Sequence, residues 1–176
     1  MNKSNRAIVI ISSIYMLISG IISACYMFAI LIKGLIVDTV GWLSVIACST
    51  VIIFTIINNL KILIKLSNLK ENFFIVNILI CSLQILSIVF NGFQFKYNQG
   101  IEVASYIEID NKTKDTLFGT IFNNFNFGFT FKFAESDYSL IRLNILYLLL
   151  TLLFFYFYRN FNQIVNKDNR TLKENV

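Results

Sequence analysis

The chain has 176 residues, 56% of them hydrophobic and 14% charged, with a net charge of +5 and neither histidine nor proline. Soluble domains carry about 25% charged residues, so this composition is that of an integral membrane protein and leaves no room for a large soluble domain. Without histidine the commonest general base and the commonest metal ligand are missing. The basic residues cap apolar runs and form no patch, which argues against nucleic acid as a partner. The bias toward Ile, Asn, Lys and Phe points to a low-GC bacterial source.

A basic leader containing Lys3 and Arg6 precedes the first apolar run, 7–32. About 20 apolar residues in a helix cross a bilayer core, and this run exceeds that length. Within it, Ile22-Ser23-Ala24-Cys25 has the form of a lipobox, which would make Cys25 a lipidated N-terminus after cleavage. The apolar run continues past Cys25 to Ile32, so an uncleaved helix is the preferred reading. The second span, 40–64, opens with Trp42 as an interfacial aromatic. It closes with Asn58, Lys61 and Lys65 on one helical face, read as a snorkelling, headgroup-level boundary. A polar turn leads to span three, 73–90. Span four, 140–158, ends in aromatics and Arg159, with Ser136 or Asp137 as its expected N-cap. The tail 160–176 is polar.

Counting Lys and Arg sets the expected orientation. One side carries Lys3, Arg6, Lys61, Lys65, Lys70, Arg159, Lys167, Arg170 and Lys173 against three acids, Glu71, Asp168 and Glu174. Both termini are therefore expected in the cytoplasm of a cell membrane, with residues 91–137 outside. The expected fold is an all-α four-helix transmembrane bundle carrying a small extracytoplasmic antiparallel β-rich insertion between helices three and four.

That insertion shows strand periodicity. Residues 101–103 and 106–109 alternate around a short break, and 110–115 reads as a turn. Phe125, Phe127, Phe129, Phe131 and Phe133 occupy every second position, which puts them on one face of a strand. Residues 93–97 supply a further strand. Burial of a Phe contributes on the order of 1.5–3 kcal/mol, so five rings are expected to be covered. The cover is either the insertion's own core and the outer helix ends, or a docked partner. This makes the five phenylalanines the candidate partner-docking face.

Along the spans, mildly polar residues recur at helical spacing: Ser12, Met16, Ser19 and Ser23; Ser44, Cys48, Thr55 and Asn59; Asn77, Cys81, Gln84 and Asn91; Asn144, Tyr147 and Thr151. Small and polar groups mark packed faces in lipid. Asn77, Gln84, Asn144 and Tyr147 form the candidate intramembrane polar seam, read as helix glue or as a solute path. No Asp or Glu lies in a span, which removes proton relays. Six carboxylates outside (Glu102, Glu108, Asp110, Asp115, Glu135 and Asp137) are scattered and read as surface charge. No phosphate loop or nucleophile motif is present. The expected protein is not an enzyme and has no cofactor or metal site. It has an interaction role, as an accessory or immunity-type protein. Its partners are the bilayer and another membrane or envelope protein, or further copies of itself. A homo-oligomeric channel or transporter subunit is the alternative.

Overall fold

The computed structural model describes residues 3–33, 39–66, 69–90, 93–133 and 136–161. For residues 3, 39–41, 125, 126, 128, 129 and 131–133 it describes the backbone alone. The element order is α1 (Lys3–Ile32), α2 (Thr39–Ile64), α3 (Asn72–Ser82), β1 (Leu86–Phe90), β2 (Phe93–Asp110), β3 (Thr116–Phe133), β4 (Tyr138–Asn144) and α4 (Ile145–Arg159).

The expected four-helix transmembrane bundle is corrected. Two helical stretches, Ser4–Ile32 and Trp42–Ile64, are long and apolar enough to cross a membrane by length and composition. The other two helices have 11 and 15 residues, about 16 and 22 Å at 1.5 Å per residue. The apolar run 73–90 stays helical only to Ser82, turns over 83–85 and becomes β1. Ile88, Val89 and Phe90 favour strand, and an apolar run by itself does not distinguish strand from helix. The expected fourth span likewise begins as β4. Its helix starts at Ile145, capped by Asn144, whose side chain accepts from the Tyr147 backbone N–H. The cap is therefore neither Ser136 nor Asp137.

The short helices pack beside the N-terminal half of α1 and the C-terminal half of α2. Val9, Met16, Ile62, Phe74, Ile80, Cys81, Tyr147, Leu150, Phe154 and Phe157 form that core. A second core joins Met27, Cys48 and Ile52 of the long helices to Tyr97, with Phe95 and Phe127 against it. The sheet thus lies along the other half of α1 and α2, on top of the short helices.

Strand order is β1-β4-β2-β3, with β1 also pairing β2. The pairings β1–β2, β1–β4 and β2–β4 are all antiparallel. Three antiparallel pairings cannot close a circuit of straight strands. So β2 must reverse its heading between the segment paired with β1 (93–95) and the segment paired with β4 (104–110). Gly100, at φ +104°, marks the corner. There the register shifts: Asn126 faces Gly100 and Asn123 faces Glu102, so β3 takes three steps where β2 takes two. The extra residue is a β-bulge, a common device for bending a sheet.

The folded sheet has an inner and an outer face. Ser87, Val89, Asn98, Glu102, Ala104, Leu140 and Asn144 are buried, while Leu86, Phe90, Ile107, Ile109, Phe118, Phe122, Ile141 and Leu143 are exposed. Opposed residues of a ladder share a face, and the pairs Ile107–Phe118, Ile107–Ile141 and Leu86–Leu143 place the exposed set together on the outside. At Gly119, on the inside, the Tyr106 ring takes the space a Cβ would fill, 2.6 Å from it.

Replacing Gly100 with Ala should destabilise the fold by about 2 kcal/mol or more, because an L side chain at positive φ is strained. Its Cβ would also press on Ser19 and lie 3.0 Å from the Tyr15 and Tyr147 hydroxyls. Thermal unfolding in mild detergent, followed by circular dichroism, checks this. An unchanged midpoint would contradict the corner assignment.

Candidate functional site

The corner of β2 leaves a gap in the sheet. Between 95 and 104 the edge of β2 that faces β1 and β4 has no strand partner in the register. Buried backbone donors and acceptors are costly when unpaired. Helix side chains fill the gap. The Gln99 carbonyl accepts from the Ser19 hydroxyl at 2.7 Å and from the Tyr147 hydroxyl. The Gln99 N–H donates to Gln84 Oε1 at 2.7 Å, and the Ile101 N–H to the Tyr15 hydroxyl at 3.2 Å. The two tyrosine hydroxyls are 3.3 Å apart. The Tyr97 hydroxyl donates to Gln99 Oε1 at 2.6 Å. Three contributions, from α1, from the turn after α3 and from the first turn of α4, converge on residues 99–101 of β2.

The proposed polar seam therefore divides. Gln84 and Tyr147 meet at the corner, and Asn144 beside them caps α4 and approaches Asn98 at 3.5 Å. Asn77 lies elsewhere, in a buried amide cluster between α2 and α3. It exchanges hydrogen bonds of 2.9 and 3.1 Å with Asn59, and accepts from Asn58 at 2.9 Å. Asn58 also donates to the Phe73 carbonyl. Asn58 is thus buried, and the headgroup face read for it with Lys61 and Lys65 is corrected; the two lysines are exposed. Ser12, Ser23, Thr55 and Thr151 bond carbonyls of their own helices, a common fate of hydroxyls inside helices.

The inner face of the sheet carries charge. Arg142 of β4 donates to Glu102 of β2 at 2.9 Å, with the two side chains 15% and 2% exposed. Asn123 of β3 donates to the other carboxylate oxygen at 2.9 Å. Lys96 is half-buried nearby. Burial lowers its pKa and the Arg142 charge adds to that, while the Glu102 carboxylate opposes both. Asn98 Nδ2 and Arg142 Nε are buried on this face without a hydrogen-bond partner.

Two further carboxylates, Asp110 and Asp137, have structural employment. Asp110 accepts from the backbone N–H groups of Lys112 and Thr113 at 2.7 and 2.9 Å, which holds its pKa below the ordinary aspartate value. Asp137 pairs with Lys112 at 2.7 Å on the surface. Glu135 lies outside the described residues. Among the described residues no group of three His, Cys, Asp or Glu side chains forms a metal-binding cluster.

Of the five phenylalanines of the candidate docking face, all lie in β3, as the alternation predicts. Phe127 packs on the core of Met27, Cys48, Ile52 and Tyr97. The side chains of Phe125, Phe129, Phe131 and Phe133 lie outside the described residues. Among the described side chains of β3, Phe118 and Phe122 are the exposed rings. Sequence reading missed Tyr15, Gln99 and Gly100, and its reading of Glu102 as surface charge is corrected, since that side chain is buried. Tyr15 had one available signal, since it falls between Ser12 and Ser19 on the polar stripe of α1.

No family model matches the chain, and neither does any curated protein or solved structure.

Breaking a buried ion pair costs about 3–5 kcal/mol, because the surviving charge is left uncompensated. Arg142→Met should therefore destabilise strongly, Lys112→Met should change nothing measurable, and Arg142→Met with Glu102→Leu should recover part of the loss. Denaturant unfolding in detergent, read on the β-sheet signal, checks the series. Equal effects at Arg142 and Lys112 would contradict a buried pair.

Proposed function

We propose that this chain is a membrane-anchored protein with a non-catalytic interaction role, and that it engages a partner through the outer edge of β3. In this reading α1 and α2 cross the cell membrane as a hairpin. Both termini and the Lys61–Lys65–Lys70 region are cytoplasmic, in keeping with the excess of basic residues on that side. The tip of the β2–β3 hairpin, with Lys112, Lys114 and Asp115, points outside.

The observation that carries the reading is the sheet order. β3 is the terminal strand, and among the described residues its 18 positions pair on one side only, with β2. A long edge strand is a ready template for another strand, and proteins ordinarily blunt such edges with Pro or several charges. The segment 116–131 contains neither Pro nor any charged residue. Its Phe118 and Phe122 are 72% and 67% exposed, which adds apolar contact beside the edge.

The buried amides favour this role over a channel subunit. Asn77, Gln84 and Tyr147 spend their hydrogen bonds on Asn58, Asn59 and Gln99, which leaves them poorly suited to line a solute path. The Glu102–Arg142 pair is consistent with a structural role, since each charge has the other as its partner.

A photo-crosslinking residue placed at Thr116, Phe118, Thr120, Phe122 or Asn124 should capture one protein species, and the same probe at Lys112 or Lys114 should not. Native mass spectrometry of the protein in nanodiscs identifies whether that species is a second copy or a different chain. Labelling at the hairpin tip but not along β3 would contradict edge docking.

A further inference from the structure

The sheet is built inside out relative to a soluble one. Its inner face holds Asn98, Glu102, Arg142 and Asn144 beside Val89, Ala104 and Leu140, and its outer face holds Leu86, Phe90, Ile107, Ile109, Phe118, Phe122, Ile141 and Leu143. A sheet in water normally buries its apolar side, whereas strands in lipid carry apolar residues outward and polar ones inward. The height of the sheet points the same way. From Phe95 to Ile101, β2 descends α1 from Met27 through Ser19 to Tyr15, inside the apolar stretch Ser4–Ile32. Beside it, the outward residues of α1 and α2 are also apolar and exposed, among them Ile18, Ile21, Phe28, Leu43 and Ile46. Among the described residues that point outward from the sheet, charge appears only at the far end of the hairpin. There Asp110 organises the turn and Lys112 pairs with Asp137 on the surface.

We infer that the outer face of the sheet is a lipid-contacting surface. The sheet lies at the depth of the extracytoplasmic leaflet beside α1 and α2, and the charged hairpin tip emerges into water. The inference rests on the reading of α1 and α2 as membrane spans, and it deepens the proposed function. Unpaired strand edges are not tolerated in hydrocarbon, so a β3 edge at this depth must meet its partner strand within the membrane. The partner is then a second copy or another membrane protein, not a soluble ligand. The inner charges are consistent with this placement, because Glu102 and Arg142 neutralise each other away from the acyl chains.

Spin labels test the placement in nanodiscs. A Cys25→Ser background leaves Cys48 and Cys81, both buried. Labels are attached singly at Phe118→Cys, Phe122→Cys and Ile141→Cys on the sheet, at Ile18→Cys on α1 and at Lys114→Cys on the tip. Collision with oxygen reports lipid, and collision with a water-soluble nickel chelate reports water. The expected result is that the three sheet labels match Ile18→Cys, with oxygen collision several-fold above nickel, while Lys114→Cys shows the reverse. If the sheet labels match Lys114→Cys while Ile18→Cys reports lipid, the sheet stands in water. That result overturns this inference and leaves the anchor intact. If Ile18→Cys also reports water, both the inference and the membrane-span reading fail. Three sheet sites guard against one variant that misfolds, and retention of the β-sheet dichroism signal qualifies each.

Discussion

The structure depends on supplying hydrogen bonds to a strand that turns a corner. β2 has to change heading to pair with both β1 and β4, and at the turn its inner edge loses any strand to pair with. Each orphaned backbone group there would cost about 1–3 kcal/mol if buried without a partner. Ser19, Gln84, Tyr147 and Tyr15 remove that cost at Gln99 and Ile101. The same contacts tie α1, α3 and α4 to the sheet. The helices therefore do more than anchor the sheet: they complete its hydrogen bonding. The sheet in turn explains why α3 and α4 are short, since the chain leaves helix where the strands begin.

Two polar clusters divide the work of specifying the fold. The amide cluster of Asn58, Asn59 and Asn77 fixes the register of α2 against α3, a role polar groups play where apolar packing alone is unselective. The corner cluster fixes the height of the sheet on α1. Glu102, Asn123 and Arg142 then hold three strands together across the inner face. Much of what remains outward along α1, α2 and the sheet is apolar. The distribution makes physical sense for a chain whose surroundings are mostly lipid and whose charged hairpin tip reaches beyond them.

The two long helices were legible because runs of apolar residues of their length have few other fates. The strand character of 125–133 was legible from its period of two, and the turn at 110–115 from its Asp, Asn and Lys. The other two spans were misread for a specific reason. In 73–90 apolar residues continue from the helix into the strand, through Ile85, Leu86, Ile88, Val89 and Phe90, so hydropathy does not mark the change from helix to strand. The phenylalanine alternation is a further case in which periodicity leaves something open. Apolar alternation identifies a face but not its environment, and the exposed rings Phe118 and Phe122 lie on the outside of a folded sheet. The corner was illegible because its partners come from residues 15, 19, 84 and 147, which only the fold brings together. Gly100 was the local trace of it, and Glu102 inside an alternating strand was the trace of the ion pair.

Hydrogen–deuterium exchange of the backbone at the corner tests the central claim most directly. With the protein in nanodiscs, the amides of Gln99 and Ile101 should exchange as slowly as those inside the β2–β4 ladder, because side chains of the helices hold them. Gln84→Leu should then accelerate Gln99 selectively, while Ile101 stays protected by Tyr15. If Gln99 and Ile101 exchange in the intact protein as fast as the exposed turn around Thr113, the helices do not complete the strand, and the account of how this fold is held together is wrong.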